Sequence, residues 1–197
     1  YSDNSGVTWT QSSSVPVSSD LTAVYFFSPQ KGWAVGHDGV VLSSNDRGET
    51  WVKQPDGRAA VQIMKNYYAA YSPVGMPGGA EAFKQLQEDV HRFVEEGPDK
   101  PFIDVWFENE LTGYVVGCFN FIFKTTDGGK NWIPWFDRTD NPRRLHFNAI
   151  HAVDGDIYLA GEQGMVLRLD KAAMRFRATP VDYKGTFFGL TDNGSSV

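Results

Sequence analysis

The stretch that most constrains this chain is SNDRGETW, Ser44 to Trp51, because TTDGGKNW, Thr125 to Trp132, repeats its hydroxyl, Asp, Gly and Trp at identical offsets. A third copy opens the sequence: SDNSGVTW, Ser2 to Trp9, has Asn4 in the Asp slot, with Gly6 and Trp9 in place. The pattern is that of an Asp box, a turn between two strands. Ser44 or Thr125 ends one strand, and the short carboxylate of Asp46 or Asp127 is placed to accept from turn amides two residues on. Gly48 and Gly129 supply the positive φ that such a turn requires. Trp51 and Trp132 open the next strand with a large apolar side chain, expected to be buried between sheets. A carboxylate engaged by turn amides is not free for acid or base chemistry, so the box marks a fold rather than a catalytic centre.

Between the boxes the chain reads as short strands. Aligned on Trp9, Trp51 and Trp132, the repeat is about 40 residues, with one spacing doubled by an insertion. In the first full copy LTAVYFF (Leu21 to Phe27), WAVG, VVLSS and WVKQ are the four strands; in the second, FIDVWF, YVVGC, FIFKTT and WIPW take those places. The third copy keeps FNAIHAV, IYLAG and MVLRL but replaces the box with DKAAMRF, which holds Asp170 without the Gly. A fourth begins at Gly185 with TFFGL. Four strands per repeat of this length define the blades of an all-β propeller, or a segment of one, with antiparallel blades. The organisation expected is the end of a preceding blade over 1–20, blades over 21–54, 102–136 and 147–181, and the start of another over 185–197. Both ends read as cut from something longer.

The strand pattern breaks over 55–101. Within it AEAFKQLQEDVHRFVEE, Ala80 to Glu96, puts Phe83, Leu86, Val90, Phe93 and Val94 on one stripe ahead of Gly97 and Pro98, an amphipathic helix. Gln62 to Tyr71 is a second, shorter helix, and SPVGMPGG between them a loop.

GWAVGHDGVVLSSNDRGETW and GYVVGCFNFIFKTTDGGKNW, Gly32 to Trp51 and Gly113 to Trp132, closely resemble the repeat of the photosystem II stability/assembly factor-like family of Asp-box propellers. The resemblance implies a non-catalytic scaffold for protein binding or complex assembly, a protein partner, and export to the periplasm or beyond. The helical insertion departs from the family's simple repeat. Asp boxes also occur in sialidases and other glycosidases, so a carbohydrate-active propeller is the alternative; the adjacent Arg143 and Arg144 lack the Arg-Ile-Pro signature of the sialidase pattern.

Stacked blades bring the turns between second and third strands to one rim. Those turns hold His37 and Asp38, Asn120, and Glu162 with Gln163, and the connection carrying Arg143 and Arg144 reaches the same face. These seven residues are the candidate binding rim, with the insertion overhanging it. Asp104, Glu108 and Glu110 flank Trp106, a carboxylate set that a glycosidase would use and that an exposed strand end explains more simply. The four histidines lack metal-ligand spacing, the single Cys118 rules out an internal disulfide, and no phosphate-binding loop is present, so no metal and no cofactor are expected. A net charge of −6 without basic runs gives nucleic acid no footprint, and no apolar run approaches the ~20 residues of a membrane helix.

Overall fold

The computed structural model describes residues 1–72, 76 and 78–192. It contains three four-stranded antiparallel sheets. Blade 1 is β1 (Leu21–Phe26), β2 (Gly32–Gly36), β3 (Val41–Ser44) and β4 (Val52–Lys53). Blade 2 is β5 (Phe102–Phe107), β6 (Gly113–Gly117), β7 (Ile122–Thr125) and β8 (Ile133–Pro134); blade 3 is β9 (Phe147–Val153), β10 (Asp156–Gly161), β11 (Val166–Asp170) and β12 (Arg175–Ala178). Each blade is an up-and-down meander, and the first strands β1, β5 and β9 neighbour one another. The expected propeller arc is therefore formed.

The box turns work differently from the expectation in one respect. The hydroxyl, not the carboxylate, takes the tight amide: Gly48 N–H donates to Ser44 Oγ (2.9 Å) and Gly129 N–H to Thr125 Oγ1 (2.9 Å). The carboxylate reaches four residues on, accepting from Thr50 N–H (2.9 Å) and Asn131 N–H (2.9 Å), while Ser44 and Thr125 donate back to it. Hydroxyl and carboxylate thus divide the turn between them, and Gly48 (φ 84°) and Gly129 (φ 89°) adopt the left-handed geometry that this division demands. The opening copy forms the same lock with an amide, Gly6 N–H donating to Ser2 Oγ (2.8 Å) and Thr8 N–H to Asn4 Oδ1 (2.8 Å). In the worn third copy Asp170 caps amides two and three residues on, at Ala172 and Ala173.

Blades pack through aromatics. Trp33 of β2 stacks on Phe107 of β5 at 3.4 Å between ring centroids, and its Nε1–H donates to Gly128 O in the box of blade 2 (3.2 Å). Thr22 Oγ1 donates to Phe102 O (2.7 Å) and Tyr25 Oη to Phe107 O (3.0 Å), tying the first strands together. Between blades 2 and 3, Tyr114, Val116 and Ile122 meet Ile157, Leu159, Leu167 and Phe176 in a second core.

Trp132 is buried as expected, edge-on to Phe107, but Trp51 is only half-buried, against Phe26. The outward face of blade 1 explains the difference. Leu21, Val24 and Phe26 occupy the register positions of Phe102, Val105 and Phe107, yet are 49%, 62% and 38% exposed where their counterparts are at most 2%. No sheet covers that face among the described residues. For the same reason Trp9 to Gln11 form no strand, and Trp9 is 76% exposed. Residues 185–192 form no strand either, although Asn148 Nδ2 donates to Phe187 O (2.9 Å) much as Thr22 does to Phe102. Residues 193–197 lie outside the described residues.

The insertion forms α1 (Gly57–Ala69) and α2 (Gly79–Glu96). The second matches its stripe, burying Leu86, Val90 and Phe93. The first starts five residues before the expected Gln62, because Asp56 caps it: its Oδ1 accepts from Arg58 N–H (3.1 Å) and Ala59 N–H (3.2 Å). Most of the loop expected between them falls outside the described residues. Both helices bury their apolar faces against Phe102, Phe121, Phe123, Trp132 and Phe136 of blade 2, so the insertion belongs to the core.

Two outcomes follow for the boxes. Ser44→Ala should destabilise by about 1–3 kcal/mol, because the Gly48 N–H it satisfies is buried, and should cost more than Asp46→Ala, whose amide partner is exposed; urea unfolding checks the order. Bonds from Thr50 and Ser44 hold the Asp46 carboxyl below its ordinary range, and at Asp127 the bonds from Asn131 and Thr125 outweigh burial, which pushes upward. A depressed carboxyl pKa contributes stability above its unfolded value, about 4, that is lost as pH falls through the folded value. The urea midpoint should fall on acidification below about pH 4, and Asp46→Asn, mimicking Asn4, should shallow that fall.

Candidate functional site

The three turns between second and third strands share one geometry. In His37–Gly39, Cys118–Asn120 and Glu162–Gly164 the middle residue is left-handed: Asp38 (φ 57°), Phe119 (φ 54°) and Gln163 (φ 54°). A repeated positive φ at non-glycine residues aims three side chains outward along one edge of the arc. All three are exposed, and Phe119, 45% exposed, stands edge-on to His146.

The other rim residues divide into displayed and consumed. His37 is exposed, and Asp38 accepts from Ser19 Oγ (2.6 Å). Glu162 is half-buried and accepts from His146 N–H (2.8 Å). Asn120 is fully buried: its Nδ2 donates to Phe136 O (2.8 Å), and its Oδ1 accepts from Thr139 Oγ1 (2.7 Å) and Asn141 Nδ2 (3.2 Å). It stands where the other turns have glycine, and it holds the long connection between blades 2 and 3.

That connection, residues 135–146, is where the adjacent arginines part company. Arg144, itself at φ 55°, turns under α2: its guanidinium pairs with the buried Asp89 (Nε to Oδ2 2.6 Å) and lies 4.5 Å over the Phe136 ring. Asp89 also receives Arg92 and Gln85. Arg143 points the other way, donating to Gln163, and has no carboxylate partner among the described residues. It lines a cleft of about 460 Å³ with Tyr183 and Lys184.

A second anchor was not legible in the sequence. Tyr68 Oη (2.6 Å) and Tyr71 Oη (2.7 Å) both donate to Asp137, one to each oxygen. Burial, reinforced by that carboxylate, drives the Tyr68 phenol far above its ordinary value and pushes Tyr71 up to about 12. Both remain protonated donors at neutral pH. Arg175 completes the set, donating to Asp140 (2.7 Å), Asp137 O (2.6 Å) and Thr139 O (2.9 Å). The sequence hint for this anchor is the i, i+3 spacing of two tyrosines at the end of the expected helix, although α1 stops at Ala69, before Tyr71. Between α2 and the connection lies a further cleft of about 390 Å³, lined by Met76, Ala82, Leu86, Phe136 and Pro142 among others.

The acidic trio does not assemble into a site. Asp104 is half-buried between first strands, accepting from Val105 N–H (2.8 Å) and Ile150 N–H (2.8 Å), and desolvation raises its carboxyl. Glu108 faces Lys171 at 3.5 Å, and Glu110 is exposed. Among the described residues no cluster of three His, Cys, Asp or Glu side chains could hold a metal, and no helix is long and apolar enough to cross a membrane.

The fold and rim together define an arc of an Asp-box propeller whose connections are locked by polar anchors. The profile of the family described as photosynthesis system II assembly factor YCF48 matches residues 84–185, and the chain belongs to that family. Two solved structures share the fold. "YCF48 bound to D1 peptide" has a TM-score of 0.58 and 18% identity, covering 87% of this chain and 43% of that one. YCF48 from Cyanidioschyzon merolae has a TM-score of 0.54 and 22% identity, covering 84% and 41%. The chain therefore spans about two fifths of the length of either structure. No curated protein matches it. Membership corrects one expectation: a family named for assembling photosystem II, a complex built inside the cell, does not carry export to the periplasm or beyond.

Asp89→Ala would strand the Arg144 guanidinium beneath α2. Removing one member of a buried ion pair costs about 3–5 kcal/mol, and the partial exposure of both arginines puts this case near the lower bound. Urea unfolding checks the magnitude, and hydrogen exchange should show α2 amides losing protection before those of β6.

Proposed function

We propose that this chain is a non-catalytic scaffold that holds an extended segment of a protein client on its rim during assembly of a photosynthetic complex. The observation that carries the reading is family membership over residues 84–185, which include the rim of blades 2 and 3. The chemistry of the rim supports it. Asn120 and Arg144 are paired internally, whereas Arg143 stands exposed on the connection and Gln163 and the aromatic Phe119 on the neighbouring turns. Arginine and aromatic side chains held in place before binding are the usual anchors of protein recognition. The glycosidase alternative has no observation in its favour: Tyr68 and Tyr71 are raised, protonated donors, and Asp104 is bonded to backbone amides.

One relative has been solved with a D1 peptide, which makes such a peptide the first probe. Labelled D1 peptide titrated into the protein should give a saturable rise in fluorescence anisotropy. Arg143→Ala should weaken it several-fold with the urea midpoint unchanged. Absence of saturable binding, or an Arg143→Ala variant indistinguishable from the parent, counts against this site. Release of sugar from sialosides or glucans would revive the glycosidase reading.

A further inference from the structure

The cleft between α2 and the connection of blades 2 and 3 adjoins the rim cleft at Arg143, the two sharing Asp140 and Pro142. Its walls include two guanidiniums, which would ordinarily point to an anionic ligand. Both already have partners: Arg144 pairs with Asp89, which Arg92 shares, and Arg175 pairs with Asp140 and donates to two backbone carbonyls. Asp137 commits its two oxygens to Tyr68 and Tyr71, and Thr139 donates its hydroxyl to Asn120. What remains for a visitor is mainly apolar lining from Met76, Ala82 and Pro142 over the buried Leu86 and Phe136, beside Gln85, whose amide donates to Asp89. At about 390 Å³ the space sits at the small end of ligand-sized pockets, roughly 300–1,000 Å³. That is too little for a helix or strand and enough for one or two side chains.

We infer that this cleft is a socket for a single uncharged apolar side chain, aliphatic or aromatic, of the protein client. The occupant follows from charge complementarity. A carboxylate would meet walls whose guanidiniums are already paired and that carry Asp137 and Asp140 as well, and a cation would have to compete with Arg144 and Arg175 for their own partners. An apolar side chain displaces water from apolar surface without breaking any bond of the network. The socket exists only because the helical insertion supplies one wall, through Met76, Ala82 and Leu86, so it sets this chain apart from a simple repeat. Its rigidity comes from the same two anchors, Asp89 with Arg144 and Asp137 with Tyr68 and Tyr71, which fix both sides before anything binds.

The inference rests on the protein-binding reading, but its test needs no client. N-acetyl-L-phenylalaninamide is titrated into methyl-labelled protein and followed by NMR. The Met76 ε-methyl and the Leu86 methyls should shift in a saturable way at millimolar probe, while Leu167 in the core of blade 3 stays still. N-acetyl-L-phenylalanine, the free acid, should bind several-fold more weakly. Ala82→Phe, at a half-buried position on the cleft wall, should abolish the shifts, with an unchanged thermal midpoint showing that the fold survives; Ala82→Met serves if the larger residue perturbs it. No saturable shift with the amide, or tighter binding of the acid, overturns the socket. Either result leaves the D1 peptide titration standing as the separate test of the rim.

Discussion

Each blade of this molecule is stable because another blade covers it, and the contact that does so most completely is Trp33 stacked on Phe107. A four-stranded sheet with two apolar faces cannot stand alone in water, so its strands carry apolar residues in both directions and leave coverage to the neighbour. Blade 2 has sheets on both sides, and β6 is buried throughout. Blade 1 has a sheet on one side only, and Leu21, Val24 and Phe26 remain exposed in positions that blade 2 seals. The same residue types at the same register thus become core or surface according to whether a neighbour arrives.

The box turns serve that stacking. By locking the link between third and fourth strands with one hydroxyl and one carboxylate or amide, they fix where the Trp begins the last strand. The carbonyl of Gly128, presented by the second box, accepts both Trp33 of the preceding blade and Gln54 (3.1 Å). A local motif therefore doubles as an inter-blade fastening. The polar anchors act likewise at larger scale, pinning the insertion and the connection of blades 2 and 3 to each other. They leave the cleft at Arg143 and the cleft beneath α2 as neighbours on one connection, sharing Asp140 and Pro142.

Repeat and period were legible in the residues. Hydroxyl, Asp, Gly and Trp at constant offsets specify a turn through local chemistry, and the stripe of α2 specifies a helix through spacing alone. The start of α1 was readable in principle from Asp56 as a cap, but Gly57 behind it resembles a loop. The rim was half legible. Turn position identified Asp38, Gln163 and Arg143 as displayed, yet it could not separate Arg143 from Arg144, because which of two adjacent arginines turns inward depends on a carboxylate 55 residues earlier.

What the sequence determined by itself is what nearest neighbours along the chain can enforce: the box turns, the four-strand repeat, the helical stripe and the family. What only the tertiary structure decided is which polar groups are spent. Asn120, Arg144, Asp104 and the Tyr68 and Tyr71 pair look like surface chemistry in one dimension. They become internal fastenings because partners far away in sequence arrive within hydrogen-bond distance, and a buried polar group is retained only where such a partner meets it.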